Sequence, residues 1–232
     1  MDLMRFSARK DASDDLLSEE SGSLKISSKE IYSATNNLSA DNFIDQGRAG
    51  KVYKGILSNG KHVAVKHIIN NGSVETFICE VTSLPDVRHP NLVACEGVEE
   101  YFLVYELCQN GDLSEWLFGK DKSLPWITRL ELAIDSAGGL WLLQTYPRGC
   151  IVLRDIKARS LKKGGDATEF ADPKLNGEYS VEALDLAFNL ALSCTGLKLQ
   201  RPSMDQVVSK LEKALDTSTQ KQSAFFTLPI KA

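Results

Sequence analysis

The chain has 232 residues, of which 43% are hydrophobic and 25% are charged, and its net charge is −4. These values are typical of a globular protein. The negative net charge excludes a bulk positive field that would attract nucleic acids or anionic membrane surfaces. No apolar run approaches the roughly 18 residues of a membrane span, and five widely spaced cysteines without a CxxC pair predict neither a disulfide framework nor a zinc site.

Polar residues rich in Ser, Asp and Glu fill the first part of the chain, 1–27, and predict a disordered segment. A short helix is predicted next, from about Ser28 to Asn37, with a serine cap. Apolar alternation on both sides of Asn59-Gly60 then predicts a β-hairpin. The following segment, 71–84, has the pattern of a helix that begins after Ser73.

The second half of the chain begins with one strand and continues with helices. "YFLVYEL", 101–107, predicts a buried strand, and "SEWLF" predicts a short helix. Apolar residues at three- and four-residue spacing predict a longer helix from Trp126 to about Tyr146. A loop is expected over 158–180, and the last predicted helices are 181–194 and 203–215, followed by a loose tail from 217. Strands first and helices afterwards indicate an α+β architecture with two lobes.

Three features in the first half suggest a phosphate site. The first is a glycine-loop pattern without its first glycine, "Asp-Gln-Gly-Arg-Ala-Gly-Lys-Val", from Asp45 to Val52. A plain β-turn is the alternative interpretation of the same residues. Lys66 follows within a strand, where a solvated edge position is the alternative. Glu80 follows in the predicted helix, where a surface position is the alternative. The three features in this order and spacing favour the functional interpretation.

Several long segments carry a resemblance to a known family. They are "GKVYKGILSNGKHVAVKHI", "HPNLVACEGV", "FLVYELCQNGDLSEWLFG", "RDIK" and "DPKLNGEYSVEALDLAFNLALSCTGLKLQRPSMDQVVSKLEKAL". Over about residues 28–216 the chain resembles the protein kinases, most closely the plant receptor-like serine/threonine kinases. The resemblance implies a β-rich N-lobe with one main helix and a helical C-lobe that is truncated here.

The resemblance also implies roles for individual residues. A glycine loop would cover ATP, Lys66 would hold the α- and β-phosphates and pair with Glu80, and the hinge from Tyr105 to Cys108 would contact adenine. The nucleotide-binding positions implied in this way are Gly47, Gly50, Val52, Ala64, Lys66, Glu80, Glu106 and Cys108. Asp155 would occupy the position of the catalytic base, with Lys157 beside it on the phosphate side.

The catalytic region departs from the family pattern. Leu153 stands where the family has histidine, and Ser160 falls where it has the metal-binding asparagine. No Asp-Phe-Gly or Ala-Pro-Glu motif follows. The sequence after Lys157 resembles a stretch that comes later in the C-lobe of the family. We therefore interpret the junction at 157–158 as the site of a missing block that would hold the metal loop and the activation segment. No metal site is predicted.

The predicted domains are a disordered segment resembling a juxtamembrane region at 1–27 and a kinase N-lobe with hinge at 28–108. A partial C-lobe follows at 109–216, and a flexible tail at 217–232. Catalysis is expected to be impaired, as in a pseudokinase, with weak ATP binding and no Mg²⁺. The expected partners are proteins, among them full-length receptor-like kinases, and neither nucleic acid nor direct membrane insertion is expected. We expect a cytoplasmic protein that partners recruit to the plasma membrane.

Two other interpretations remain open from the sequence. In the first, the chain is an active serine/threonine protein kinase that transfers phosphate from ATP to protein. In the second, it is the unstable product of a shortened coding sequence. A phosphotransfer assay separates impaired from active enzyme, and cooperative unfolding separates both from the unstable product.

Overall fold

A computed structural model describes residues 26–47, 50–69, 87, 89–90, 92–93, 95–99, 101–111, 113–147 and 166–226. The chain divides into two compact units, and the division falls at residues 112–113. The helix predicted at 71–84 and the region from 148 to 165, which contains Asp155, lie outside the described residues.

The first unit is built on a five-stranded antiparallel sheet. Its strands lie in the order β1-β2-β3-β5-β4, so β1 and β4 are the edge strands and the hairpin of β2 and β3 lies between β1 and β5. The bounds are Phe43–Gln46 for β1, Gly50–Ile56 for β2, His62–Ile68 for β3, Cys95–Glu99 for β4 and Phe102–Glu106 for β5. The predicted hairpin and the predicted strand near 101–107 are confirmed. The strand β4 was not predicted, because "CEGVE" combines two glutamates with a glycine and has too few apolar residues to indicate a strand.

The turn between β2 and β3 depends on Gly60. The Gly60 N–H donates to the Leu57 carbonyl over 2.9 Å, and the Leu57 N–H donates to the Lys61 carbonyl over 2.9 Å. Gly60 has φ +81°, in the left-handed region that favours glycine. This pattern is a three-residue hairpin loop with glycine in the left-handed position, which sets the register of the two strands.

A helix covers one face of this sheet. It is α1, Ser28–Ala34, and the Ser27 side chain caps its first turn by accepting from the Glu30 N–H. Behind it lies a core whose buried members are Ile26, Ile31, Leu57, Val63, Val65, Phe102 and Val104. Gly55 lets the helix approach, since a Cβ at this position would lie 3.3 Å from the carbonyl oxygen of Ala34.

The second unit consists of helices. They are α2 at Leu113–Phe118, α3 at Trp126–Gln144, α4 at Val181–Cys194 and α5 at Met204–Phe226. Two short 3-10 helices, Ala167–Phe170 and Pro173–Leu175, occupy much of the described part of the predicted loop. The buried core residues include Leu130, Ile134 and Ala137 of α3, facing α4 and α5. A strand-rich unit followed by a helical unit confirms the α+β class.

The last helix corrects the sequence prediction. Residues 217–226 continue α5, where a loose tail was expected from 217. Ser218 is buried, and its hydroxyl accepts a hydrogen bond of 2.9 Å from the Trp126 indole and donates to the Ala214 carbonyl. This buried contact holds α5 against α3. It lies beyond the apolar repeat of α5, from which the end of that helix was predicted.

Candidate functional site

The two faces of the sheet carry different residues. Directly paired residues of antiparallel strands project to the same face, and successive residues of one strand alternate. Val65 pairs with Tyr53 and Val104, and Val65 and Val104 belong to the core beneath α1. Lys66 pairs with Val52 and Leu103, which places these three on the face away from α1.

This second face contains several of the predicted nucleotide residues. Ala64 lies two residues before Lys66 on β3, and it pairs with Tyr105 of β5. Ala64 and Leu103 are fully buried and Val52 nearly so, while the Lys66 side chain is half-buried. A cation at the margin of an apolar surface suits a ligand with a flat apolar ring and an anionic group, as in adenine nucleotides. Val52, Ala64 and Lys66 therefore occupy one face together, as a nucleotide site requires.

The glycine loop joins β1 to β2. The Gly47 N–H donates to the Gly50 carbonyl over 2.9 Å, so this amide is used within the loop. A Cβ at Gly50 would lie 1.9 Å from the carbonyl oxygen of His67, whereas a Cβ at Gly47 would meet no atom within 4 Å. The loop's two intermediate residues, 48 and 49, lie outside the described residues. Gly50 is therefore needed for strand packing, apart from any role in phosphate binding.

His67 lies on the opposite face from Lys66, although the two are neighbours in the chain. Its ring stacks on Phe102 with centroids 4.6 Å apart, and Phe102 in turn contacts Tyr32 of α1 edge-on. Burial, followed by the nearby positive charge of Lys51, holds the pKa of His67 below its ordinary value. The sequence analysis did not single out His67. Successive residues of a strand project to opposite faces, so its position next to Lys66 is the signal that assigns it to the α1 side.

The predicted hinge follows β5. Glu106 is the last residue of that strand and is half-buried, and Cys108 lies two residues further on with similar exposure. The Leu107 N–H donates to the His62 carbonyl over 3.4 Å, which continues the β3-β5 pairing past the strand's end. Glu106 and Cys108 thus lie at the end of the sheet where Val63 and Ala64 are found.

The remaining predicted site residues are Glu80, Asp155 and Lys157. All three lie outside the described residues. Across the described ranges, no group of three or more His, Cys, Asp or Glu side chains is arranged to hold a metal ion. Nor does this part of the chain contain a helix both long and apolar enough to cross a membrane.

Comparison with known proteins identifies the family. The profile of the protein tyrosine and serine/threonine kinase family matches residues 38–168, more than half of the chain. A probable LRR receptor-like serine/threonine-protein kinase of Arabidopsis thaliana is 37% identical over 163 residues. That match covers 65% of this chain but only 16% of the relative, so the chain spans about a sixth of the relative's length.

Solved structures give the same result for the fold. The pseudokinase DRIK1, described as a drought responsive inactive kinase, matches with a TM-score of 0.68 and 19% identity, over 85% of this chain and 99% of that one. The pseudokinase domain of BIR2 matches with a TM-score of 0.58 and 22% identity, over 86% of this chain and 90% of that one. The fold is that of a protein kinase, and the chain belongs to the protein tyrosine and serine/threonine kinase family as a kinase domain of the plant receptor-like type.

Proposed function

We propose that this chain is a kinase-type domain that binds adenine nucleotides weakly, has lost most of its phosphotransfer capacity and acts by binding other proteins. The observation that supports nucleotide binding is the placement of Val52, Ala64 and Lys66 on one face of the sheet. We assign the adenine end of the site to the hinge residues Glu106 and Cys108, and the phosphate end to Lys66 and the loop of Gly47 and Gly50. Glu80 is the proposed partner of Lys66.

The proposed loss of catalysis follows from the chemistry of phosphoryl transfer. That reaction depends on positioning and on Mg²⁺, which neutralises charge on the phosphates. We assign Asp155 and Lys157 to the positions of the catalytic loop, but no Asp-Phe-Gly follows them in the sequence to bind the metal. Losing one electrostatic contact of this kind typically costs about 100- to 1000-fold in rate. We therefore propose a site in which nucleotide binding no longer depends on Mg²⁺.

A regulatory role without catalysis is supported by what the structural relatives are called. The BIR2 pseudokinase domain is described as belonging to an immune regulator, and DRIK1 as an inactive kinase. By analogy, we propose that this chain acts in the cytoplasm as a scaffold for receptor-like kinases, which recruit it to the plasma membrane. The domains of this proposal are an N-lobe at 28–108 and a partial C-lobe that begins at 109 and includes all of α5, to Phe226, with 1–27 and 227–232 as flanking segments.

The rival function is active phosphotransfer, which is favoured by the serine/threonine-protein kinase name of the Arabidopsis relative. One experiment with two readouts separates the two. The purified chain is titrated with ATP by calorimetry, in EDTA and in excess Mg²⁺, and is then assayed for phosphotransfer beside Asp155→Asn. Lys66→Ala is the variant for the binding readout, because it removes the cation assigned to the phosphates.

We expect weak ATP binding that is the same with and without Mg²⁺, and about tenfold weaker in Lys66→Ala, since a hydrogen bond to a charged group is lost. Phosphotransfer by the wild type should not exceed that of Asp155→Asn. Autophosphorylation that disappears in Asp155→Asn would establish the active kinase instead. Equal ATP binding by wild type and Lys66→Ala would show that nucleotide does not bind at this face.

A further inference from the structure

The strand β1 contains one residue more than its partner. Phe43 pairs with Tyr53, whereas Asp45 pairs with Val52, so three residues of β1 lie opposite two residues of β2. This is a β-bulge, with Ile44 as the extra residue. In a regular strand Phe43 and Asp45 would project to the same face, because they are two positions apart.

The bulge changes the face to which Asp45 belongs. Tyr53 lies on the α1 side through its pairing with Val65, and the Phe43 ring contacts the Tyr53 ring with centroids 6.0 Å apart. Val52 lies on the other side, with Lys66. The register therefore places Phe43 towards α1 and Asp45 towards the proposed nucleotide face. Bulges that redirect a side chain in this way are common beside binding sites.

The register also gives the position of the carboxylate relative to Lys66. Asp45, Val52 and Lys66 form one row across β1, β2 and β3. Two cross-strand steps separate Asp45 from Lys66, about 10 Å between their Cα atoms. The Asp45 side chain is exposed, and its Oδ1 accepts a hydrogen bond of 2.7 Å from the Gln46 N–H, one residue before the glycine loop. An anionic group held by Lys66 would thus lie about one Debye length, roughly 8–10 Å at 0.1–0.15 M salt, from a second anion.

We infer that Asp45 is a specificity-determining residue, which repels polyphosphates and makes the site bind adenosine at least as tightly as ATP. This inference rests on the proposed nucleotide site at the Lys66 face. The family pattern has glycine at this position, and glycine would place no charge there. The discrimination is electrostatic, so it increases with the number of phosphates and decreases when salt screens the charges.

The test compares adenosine, AMP, ADP and ATP, each titrated in EDTA against the wild type, Asp45→Asn and Asp41→Asn. Asparagine at 45 keeps the oxygen that accepts from the Gln46 N–H and removes the negative charge. Asp41 is the matched control, because it is an exposed aspartate of the same unit that lies in the 3-10 helix Ala40–Asn42, outside the sheet. A further series at about 1 M salt, where the Debye length is about 3 Å, tests whether the effect is electrostatic.

We expect Asp45→Asn to tighten ATP binding by about three- to tenfold, the range for a few partly screened charge interactions, and to change adenosine binding less than twofold. Asp41→Asn should leave both affinities unchanged, and the gain in Asp45→Asn should decrease at high salt. ATP affinity that rises no more in Asp45→Asn than in Asp41→Asn would overturn the inference and leave the nucleotide site standing. A failure of every adenine ligand to bind any variant would overturn the nucleotide site itself, and the inference with it.

Discussion

At the scale of single residues, Gly47 and Gly50 differ although they belong to the same loop pattern. The space around Gly47 is open, whereas Gly50 lies directly against the backbone of β3. The sequence suggested a common role for both, in letting phosphate approach the backbone. The structure gives Gly50 a packing role as well, because the carbonyl of His67 occupies the place that a side chain would take.

We predict that Gly50→Ala destabilises the chain and Gly47→Ala does not. The added methyl at 50 forces two strands apart at a backbone atom that cannot rotate away, and overpacking of this kind costs about 1–3 kcal/mol. At 47 the change in free energy of unfolding should stay within about 0.5 kcal/mol. Urea denaturation measures both, and equal midpoints for the two variants would contradict the steric argument.

At the scale of elements, Asp172 joins a 3-10 helix to α3. Its Oδ1 accepts from the Lys174 N–H over 3.0 Å, which caps the 3-10 helix Pro173–Leu175. Its Oδ2 lies 2.7 Å from a terminal nitrogen of Arg129, and the Arg129 side chain also donates to the Leu124 carbonyl. The hydrogen bond from the Lys174 N–H has the largest effect and holds the pKa of Asp172 below its ordinary value. Burial opposes this shift, and the hydrogen bond and positive charge of the Arg129 guanidinium lower the pKa further.

We predict that Asp172 stabilises the chain at neutral pH but not in acid. Because its pKa is lower in the folded state, the stabilisation is present above the ordinary aspartate pKa of about 3.9 and is lost as the pH falls through the folded-state value. Asp172→Ala should lower the free energy of unfolding by about 1–2 kcal/mol at pH 7, the cost of a lost cap. The difference from wild type should shrink below about pH 4.

The measurement is urea denaturation of wild type and Asp172→Ala at a series of pH values. Asp121→Ala is the control, because Asp121 is an exposed aspartate of the same unit that precedes α3. A deficit in Asp172→Ala that is the same at pH 3 and pH 7 would show that the carboxylate charge is not the cause. A deficit of equal size in Asp121→Ala would show that the link to Arg129 is not special.

The elements differ in how far the sequence could predict them. Local signals were sufficient for the first hairpin, because Asn59-Gly60 marks its turn, and for α3, whose apolar spacing is regular. The bulge at Ile44 was not predictable, since it depends on the register of β1 against β2. The true end of α5 was missed for a similar reason: the hydroxyl of Ser218 gains its partner, Trp126, only through the packing of distant helices. The sequence placed Lys66 in a strand, but the face that it shares with Val52 required the observed pairing.

At the scale of the whole molecule, each of the two units has its own buried core. The core of the first unit lies between α1 and the sheet, and that of the second between α3, α4 and α5. In the second unit several large apolar side chains remain in solvent, with Phe118 81% and Leu199 99% exposed. Leu132 and Leu140 of α3 are only half-buried. Exposed apolar surface of this kind tends to be covered when the protein associates with another copy or with a partner protein.

We predict that the second unit is loose or self-associating when the chain is alone. Each 100 Å² of apolar surface left uncovered forfeits about 2.5 kcal/mol, against a total stability of commonly about 5–15 kcal/mol. Sedimentation velocity over a range of concentrations should therefore show association, and thermal unfolding should be broad or occur below about 60 °C. A monomer at all concentrations with one sharp transition above that temperature would contradict the prediction.

The hydrogen bond between Trp126 and Ser218 has a practical consequence for anyone who expresses this domain. A boundary chosen at residue 216, where the apolar repeat fades, would cut α5 in the middle and remove the oxygen that accepts from the indole. The Trp126 N–H would then be left in a site shaped for a hydroxyl that is no longer there, and a buried donor without an acceptor costs about 1–3 kcal/mol. A recombinant fragment should therefore keep the chain at least to Phe226.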